Sequence, residues 1–134
     1  MAESGIEYSD KNLFFLKPSG EFANRNIEKL CGKAKDYTAL FCCSDIFAAV
    51  MMAALKERGF RIPEDISIMG FDDNLYSRIC TPRLTTVHQD ADEKGRVAAQ
   101  TLVGMITGKA PASKKIRLET RLVIRDSVRK IEIE

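Results

Sequence analysis

The sequence predicts an α/β domain with a mostly parallel, three-layer sheet and flanking helices. Short apolar runs alternate with longer amphipathic segments, which is the pattern of strands joined by helices. Two of the runs, "TALFCC" at 38–43 and "ISIM" at 66–69, are almost wholly apolar, as expected of parallel strands covered on both faces. A third run, "LTTVHQ" at 84–89, is short and β-branched. Together these runs predict three strands of the sheet.

Three helices are predicted between and after these strands. The first spans 21–30, with apolar residues at helical spacing, and the second spans 46–58 and is rich in alanine and methionine. The third spans 92–106. Each helix is followed by a glycine, a residue that commonly ends a helix: these are Gly32, Gly59 and Gly108.

The remaining segments are expected to be shorter or more exposed. "NLFFL" at 12–16 is interpreted as a first strand, and the segment after Asp73 as a loop or short helical turn, because it contains Pro82 and lacks a consistent apolar stripe. Near the carboxyl end, "KKIRLET" and "RLVIRDS" alternate between apolar and polar residues. They predict two strands at a sheet edge with one wet face.

Length and charge are typical of one ordinary globular domain. The chain has 134 residues, of which 21 are basic and 19 acidic, and the two signs are interspersed. This balance gives no field strong enough to indicate a nucleic-acid surface. One basic stretch is interpreted as a solvated strand face rather than a phosphate-binding surface: Lys114, Lys115, Arg117, Arg121 and Arg125.

The sequence also carries signals about the cellular compartment of the protein and about the start of the chain. The four cysteines, Cys31, Cys42, Cys43 and Cys80, have neither metal spacing nor the density of a disulfide scaffold, so reduced thiols in a cytoplasmic protein are expected. The chain shows no signal peptide and no apolar run of membrane-spanning length. "MAESG" resembles the last turn of a helix, so the chain is expected to be part of a longer protein.

Polar side chains follow two of the predicted strands. "LFCC" leads into Ser44 and Asp45, and "ISIMGF" leads into Asp72 and Asp73. Because ligands bind outside the carboxyl ends of strands in an open parallel sheet, these groups are predicted to share one crevice for a small polar molecule. Nearby Phe71 is predicted to stack on the less polar face of that molecule, together with Phe47.

Structural roles compete with ligand binding for these residues. Asp45 directly precedes a helix and is well placed as its N-cap, a role that Ser44 can also fill. Asp73 is interpreted as a cap or turn residue. Asp72 is harder to explain structurally, because a charge at the exit of a buried strand is costly unless it is paired. Ligand contact is therefore favoured for Asp72.

The sequence contains no recognisable catalytic arrangement of residues. No enzyme activity, metal or cofactor is predicted. His88 is the single histidine, and no serine or cysteine stands at a recognisable spacing from it. A metal site would need more oxygen ligands than two adjacent aspartates supply. A phospho-acceptor receiver domain also places acids after a strand, but near the first strand, whereas Asp72 and Asp73 follow the third.

Several linked motifs carry a resemblance to a known family. They are the strand ending in Ser44 and Asp45, "IPEDISIMGFDD", "TPRLTTVHQ" and the closing "RLVIRDS". Over roughly residues 5 to 129 the chain resembles the carboxyl-terminal half of LacI/GalR-type transcriptional regulators. The resemblance implies the carboxyl-terminal lobe of a periplasmic-binding-protein-like type I fold. In that family two lobes close on a small effector, often a sugar or a purine.

The resemblance also implies site residues. Asp72 matches the acid that hydrogen-bonds the effector, and Gln89 lies at the hinge and can face the cleft. Ser44 stands where the family usually has a ligand-contacting asparagine, which shortens its reach and removes an amide donor. A homodimer or higher homo-oligomer is implied, with an interface formed by Ala49, Met52, Ala53, Tyr76, Ile79 and Cys80.

A partial domain organisation follows from the same resemblance. Residues 5–83 and 112–129 correspond to the carboxyl-terminal lobe, and 84–111 to a hinge strand and a helix of an amino-terminal lobe that the chain does not contain. No DNA-binding domain is present, so operator DNA would be bound only through an absent amino-terminal domain. The expected function is effector binding and dimerisation in a regulator. The alternative is a fragment of a transport-associated periplasmic sugar-binding protein.

Overall fold

The computed structural model describes residues 9–15, 21–109 and 115–130. The helices are α1 (Glu21–Lys33), α2 (Asp45–Glu57), α3 (Leu75–Ile79) and α4 (Ala91–Ile106). The strands are β1 (Ala39–Phe41), β2 (Ser67–Asp72), β3 (Thr85–Gln89) and β4 (Thr120–Val123). Short 3-10 helices also occur at Asp10–Asn12 and Ala34–Asp36.

The four strands form one sheet in the order β1-β2-β3-β4. β1, β2 and β3 run parallel, and β4 is antiparallel to β3. The prediction of an α/β fold with a mostly parallel sheet and flanking helices is therefore confirmed. The parallel arrangement brings the carboxyl ends of β1, β2 and β3 to one edge of the sheet.

The core lies between α2 and the sheet. Met51 and Leu55 of α2 are fully buried, as is Ile68 of β2 and Leu84 just before β3. α1 contributes Leu30 and Cys31 to the same cluster. The apolar stripe of α2 is thus what fixes this helix over the strands whose ends carry the polar residues.

Several predicted boundaries shift. α1 includes Gly32 and ends one residue later, so Gly32 is not its stop. β1 is shorter than expected and is not covered on both faces, because Ala39 and Phe41 are exposed. Within the described ranges, β1 lies at one edge of the sheet and pairs with β2. The segment after Asp73 forms the short helix α3, in agreement with the predicted helical turn.

Two of the predicted strands are wrong. The part of "NLFFL" that the structure describes has a 3-10 turn at Asp10–Asn12 and then irregular backbone to residue 15. Residues 115–119, within "KKIRLET", have no strand structure, whereas β4 forms within the next segment. The pairing explains this difference, because Thr120 is already opposite Gln89, the last residue of β3. Residues before Thr120 therefore extend past the end of the neighbouring strand.

The segment after β4 continues across the sheet. Asp126 donates its backbone N–H to the Arg83 carbonyl, and the Ile68 N–H donates to the Ser127 carbonyl. The chain thus passes the beginning of β3 and reaches β2. The fully buried Ser127 hydroxyl fixes this crossing, since it donates to the Ile68 carbonyl and accepts from the Thr85 N–H.

Helix α4 is less buried than the other long helices, α1 and α2. None of its residues is buried, and it exposes an apolar face formed by Leu102, Val103, Met105 and Ile106. Its first turn is capped by Asp90, whose carboxylate accepts from the Glu93 N–H. Within the described ranges, no helix has the length and apolar character required to cross a membrane.

Candidate functional site

The predicted ligand residues Asp72 and Gln89 are brought into direct contact at the carboxyl ends of β2 and β3. The side-chain amide of Gln89 donates to Asp72 Oδ1 at 2.5 Å. The other end of the Gln89 amide accepts from the Lys94 ammonium at 3.3 Å. Asp72 and Gln89 are both half-buried. A carboxylate, an amide and an ammonium therefore form a short chain of donors and acceptors at the sheet edge.

The backbone at this point has an unusual conformation. Asp72 has a φ of 113° and Asp73 a φ of 56°, both in the region that favours glycine. Such conformations cost about 1–3 kcal/mol for a residue with a side chain, and they persist where the surrounding structure fixes them. The turn that follows β2 is therefore held in place by its contacts.

Ser44 is the N-cap of α2. Its hydroxyl accepts from the Ile46 N–H at 3.4 Å, and the residue is half-buried. Of the two capping candidates, this assigns the cap to Ser44. The expectation that Asp45 is the N-cap is wrong, because Asp45 is already the first residue of the helix and its side chain points inward.

Asp45 instead joins three parts of the fold. It is fully buried, accepts from the Thr86 hydroxyl of β3 at 2.6 Å and accepts from the Asn74 N–H at 2.8 Å. Gly70 of β2 allows this approach, because a Cβ added at Gly70 would lie 2.3 Å from Asp45 Oδ1. The Asp45 carboxylate, at the start of α2, therefore holds the turn after β2 in place.

Asp73 is the centre of a second polar cluster. Its side chain is 5% exposed, and it accepts from Arg125 at 2.6 Å, from the Ser77 hydroxyl at 3.1 Å and from His88 Nδ1 at 3.0 Å. The Arg78 guanidinium lies 4.0 Å away. Asp73 is not the cap of α3, since Asn74 fills that position. We call Asp73, Ser77, His88 and Arg125 the Asp73 cluster.

The charge state of Asp73 follows from these contacts. Burial acts to raise its pKa, but the hydrogen bonds from Arg125, His88 and Ser77 lower the pKa overall, below the ordinary aspartate value. Asp73 is thus held as a carboxylate. His88, predicted to be a surface or hinge residue rather than a general base, has a side chain that is 28% exposed and bonds to Asp73.

The two aromatic candidates are not in the same position as Asp72. Phe71 is half-buried, and strand alternation directs it to the face of the sheet opposite Gly70 and Asp45. Phe47 lies in the first turn of α2 and is also half-buried. Stacking of either ring on a ligand stays a prediction.

Two surface cavities lie away from the polar strand ends. One, of about 370 Å³, lies between α1 and α2 beside Ile27 and Val50. The other, of about 420 Å³, lies between α4 and Leu118. Neither is lined by Asp72 or Gln89. The first is lined by Glu28, Glu57 and Arg58 besides apolar residues, and the second mainly by apolar residues with Lys94. We therefore place the candidate site at the strand ends, where the polar side chains meet.

No metal-binding cluster of three or more His, Cys, Asp or Glu residues occurs in the described ranges. The four cysteines are free, and they range from buried (Cys31) to exposed (Cys43). Burial, together with the neighbouring Cys43, raises the pKa of Cys42 to about 12. Cys42 is thus a protonated packing residue at the end of β1.

The residues predicted for a dimer interface differ in how exposed their side chains are. Tyr76, Ile79 and Ala53 are exposed, and Ala49 and Cys80 are half-buried. Met52 is 3% exposed and belongs to the core, because α2 turns it toward the sheet side rather than outward. Three further apolar residues, which are not among those predicted for the interface, are exposed on α2 and α3: Ile46, Val50 and Leu75.

Arg125 does not lie on a solvated strand face, which is the position that its basic stretch predicts. Its side chain is 13% exposed and binds Asp73, 52 residues earlier. Arg121 and Arg117 are exposed, as expected. No local signal separates Arg125 from them, because all three alternate with apolar residues and differ only in what lies across the sheet.

Comparison with known proteins places this geometry in a family. Residues 5–128 match the family described as periplasmic binding protein-like domain. The chain is 34% identical over 131 residues to the HTH-type transcriptional repressor PurR of Mannheimia succiniciproducens, covering 98% of this chain and 39% of that protein. It is 35% identical over 125 residues to the probable HTH-type transcriptional repressor ExuR of Bacillus subtilis strain 168, covering 93% and 36%.

Solved structures agree with this assignment. A transcriptional regulator CelR–cellobiose complex superposes with a TM-score of 0.84 at 29% identity, over 94% of this chain and 38% of that chain. A LacI family transcriptional regulator from Arthrobacter sp. FB24 in complex with lactose gives a TM-score of 0.75 at 30% identity, over 96% and 48%. The chain therefore spans less than half the length of these proteins.

The polar side chains meet at the carboxyl ends of the parallel strands, the place where open α/β sheets generally bind ligands. The chain belongs to the periplasmic binding protein-like domain family, as the effector-binding domain of LacI/GalR-type regulators. The similar proteins are named as repressors and regulators, which favours a regulator over a transport-associated binding protein.

Proposed function

We propose that this chain is the carboxyl-terminal part of the effector-binding domain of a longer LacI-type transcriptional regulator. Residues 5–83 and 112–129 would form one lobe, and 84–111 a hinge strand and a helix of a second lobe. Two observations support this division: α4 has no buried residue and exposes an apolar face, and β4 returns beside β3 in the opposite direction. Operator DNA would be bound by a part of the regulator outside this chain.

Within that regulator, Asp72 and Gln89 bind a small polar effector. The observation that carries this proposal is the 2.5 Å hydrogen bond between Gln89 and Asp72 at adjacent carboxyl ends of parallel strands. A carboxylate accepts from ligand hydroxyl or amino groups, and the neighbouring amide can both donate and accept. Hydrogen bonds to a charged group contribute about 1.5–3 kcal/mol each, enough to select among polar ligands.

The ligands of structural neighbours suggest the chemical class. Cellobiose, lactose and ribose are named in the complexes of similar regulators. A sugar presents several hydroxyls at a spacing that suits an aspartate paired with an amide. Ser44 contributes less than an asparagine would in this position, because its hydroxyl already accepts from the Ile46 N–H.

The same proposal includes self-association in the cytoplasm, and no enzyme activity. Exposed and half-buried apolar residues of α2 and α3, together with Cys80 directly after α3, provide a candidate interface, which we call the α2–α3 surface. It comprises Ile46, Ala49, Val50, Ala53, Leu75, Tyr76, Ile79 and Cys80. The single histidine, His88, bonds to Asp73 rather than to a serine or cysteine.

Thermal-shift measurements on the full-length regulator test the effector role. Cellobiose, lactose, ribose, hypoxanthine and guanine are added separately at increasing concentration. A ligand bound by the folded state alone raises stability by about 2.7 kcal/mol at a concentration 100 times its Kd. We expect at least one sugar to stabilise the protein and Asp72→Ala to abolish the effect. Equal stabilisation of wild type and Asp72→Ala would contradict the assignment of Asp72.

A further inference from the structure

We propose that Asp73 is a positioning residue for the effector site. With Arg125 and His88 it holds the turn that presents the Asp72 carboxylate, and it does so without touching the ligand. This inference rests on the proposed role of Asp72 and Gln89. Asp73 and Arg125, which are 52 residues apart, thereby take part in ligand binding indirectly. Neither position in the sequence suggests this role by itself.

The burial of Asp73 separates its role from that of Asp72. Its side chain is 5% exposed, and both of its oxygens are occupied: Oδ1 by Arg125 and Ser77, and Oδ2 by His88. A carboxylate with its acceptor positions filled from three sides has little capacity left for a ligand. Asp72 has a half-buried carboxylate, with Gln89 as its donor in the described part of the chain.

The backbone explains why such an anchor is needed. Asp72 and Asp73 both have positive φ, at 113° and 56°. Neither is a glycine, so an unsupported chain would leave this conformation readily. Among the described contacts, the Asp73 carboxylate and the Asn74 N–H, which donates to buried Asp45 at 2.8 Å, hold the turn on the side of α2. Loss of the Asp73 contacts would leave the Asn74 bond and the Gln89 bond to Asp72.

The anchor is coupled to the ligand residues through β3. Asp72 pairs with His88 in the strand register, so the two acids accept from consecutive residues: Asp73 from His88 and Asp72 from Gln89. Because side chains alternate along a strand, His88 and Gln89 point to opposite faces. The turn is thus held on one face by the Asp73 cluster while it presents Asp72 on the other.

Arg125 makes this anchor rigid. Besides Asp73, its guanidinium donates to the Leu84 carbonyl at 2.9 Å, and its backbone N–H donates to the Thr85 hydroxyl at 2.9 Å. One arginine therefore fixes the Asp73 carboxylate relative to the first residues of β3. The planar fork allows both side-chain contacts at once, which a lysine ammonium does not reproduce.

The other charged groups near His88 make a simple proton switch a poorer explanation. His88 is opposite Arg121 on β4, and Arg78 of α3 and Arg125 both approach Asp73. The Asp73 carboxylate is already paired with the Arg125 guanidinium, a group that stays charged in proteins, so the anchor rests on this ion pair. A constant anchor, rather than a pH-triggered one, is what these contacts support.

Four variants of the full-length regulator test the inference. Asp73→Asn removes the charge with little change of shape, and Arg125→Gln removes the fork and its charge. Arg125→Lys keeps the charge and serves as the conservative variant. Arg83→Gln is the matched control, because Arg83 forms a 2.8 Å ion pair with Asp126 in the same part of the fold, with side chains that are 64% and 50% exposed.

The first measurement is hydrogen–deuterium exchange by mass spectrometry, without ligand. We expect the amides of residues 72–76 to exchange at least about tenfold faster in Asp73→Asn and Arg125→Gln, while the peptide over α2 is unchanged, since local opening frees only amides that depend on the anchor. Arg125→Lys should recover part of the protection, and Arg83→Gln should match wild type. Unchanged exchange at 72–76, or an equal increase in every peptide, would overturn the inference.

The second measurement is calorimetric titration with the sugar that gives the largest thermal shift among cellobiose, lactose and ribose. We expect Asp73→Asn and Arg125→Gln to weaken binding about tenfold or more, and Arg83→Gln to leave it unchanged. Variants that bind as tightly as wild type would overturn the inference and leave the proposed function standing. If no sugar binds wild type, the proposed sugar class fails, and the exchange experiment still decides whether Asp73 holds the turn.

Discussion

Gln89 donates its side-chain amide to the Asp72 carboxylate at 2.5 Å, across the ends of two neighbouring parallel strands. Each residue orients the other, so a ligand that binds Asp72 meets an amide already in place. Preorganised donors and acceptors lower the ordering cost of binding. The proposed effector site therefore depends on the two residues together.

Removal of the Gln89 amide should weaken effector binding. For Gln89→Leu we expect a loss of affinity of about tenfold to hundredfold, because a hydrogen bond to a charged group is worth about 1.5–3 kcal/mol. Calorimetric titration with the best sugar probe measures it. Gln100→Leu is a suitable control, since Gln100 is exposed on α4 and accepts from Arg96. Equal affinities for Gln89→Leu and wild type would count against the pair.

A methyl group at Gly70 should destabilise the domain. An added Cβ would lie 2.3 Å from Asp45 Oδ1 and 2.8 Å from Leu84 Cδ2, and Asp45 is fully buried. We expect Gly70→Ala to lower the free energy of unfolding by about 1–3 kcal/mol through overpacking. Gly95→Ala is the matched control, because nothing lies within 4 Å of its added Cβ.

In a helix interior such as that of α4, alanine is favoured over glycine by about 0.5–1 kcal/mol. Gly95→Ala should therefore be neutral or stabilising, and chemical denaturation measures both variants. A Gly70→Ala protein as stable as wild type would show that Asp45 can move away at no cost.

Acid should destabilise the fold partly through Asp73. Its folded-state pKa is lowered, so its contribution to stability is fully present above the unfolded-state value of about 3.9 and is lost as pH falls through the folded value. We expect the free energy of unfolding to fall less steeply below about pH 4 in Asp73→Asn than in wild type. Urea denaturation between acidic and neutral pH measures the slope.

Asp126→Asn provides the comparison for this titration. Its hydrogen bond from Arg83 lowers the pKa of Asp126 as well, but both side chains are at least half exposed, so water screens the pair. Its pH profile should differ little from that of wild type. If Asp73→Asn and Asp126→Asn gave the same dependence of unfolding free energy on pH, a specific contribution of Asp73 to acid stability would be contradicted.

Alkylation should distinguish the two adjacent cysteines. With a pKa of about 12, fewer than about one in a thousand Cys42 thiols is ionised at pH 8, and the thiolate is the reactive form. Cys43 is exposed. Iodoacetamide should label Cys43 at least about tenfold faster than Cys42 in the folded protein, as measured by fragmentation of the labelled peptide. Labelling of both at one rate should appear only after denaturation with guanidinium.

Self-association should depend on the α2–α3 surface. Ile79 is 62% exposed at the end of α3, and a carboxylate there would have to be desolvated in an apolar interface. We expect Ile79→Asp in the full-length regulator to raise the dimer dissociation constant at least about tenfold, as measured by sedimentation velocity. Phe15→Asp is the control, because Phe15 is 81% exposed and lies outside this surface. Equal dimerisation of the two variants would argue for another interface.

The sequence by itself determined the order of strands and helices in the middle of the chain and the acids at the strand ends. Periodicity and glycine stops are local signals, so α2, β2, β3 and α4 were predicted within a few residues. The two wrong strands lie where pairing with a neighbour decides the outcome. Residues 115–119 alternate like a strand but extend past the last residue of β3.

Tertiary structure decided which of the polar residues touch one another. Asp45 was expected to cap a helix and is instead fully buried against Thr86, 41 residues away. Asp73 and Arg125 are 52 residues apart and form the tightest ion pair around the site. Burial and long-range hydrogen bonding depend on how elements pack, and no local pattern records them. The distinct environments of the two neighbouring acids, one half-buried beside Gln89 and one bound to Arg125, therefore arise only in the folded chain.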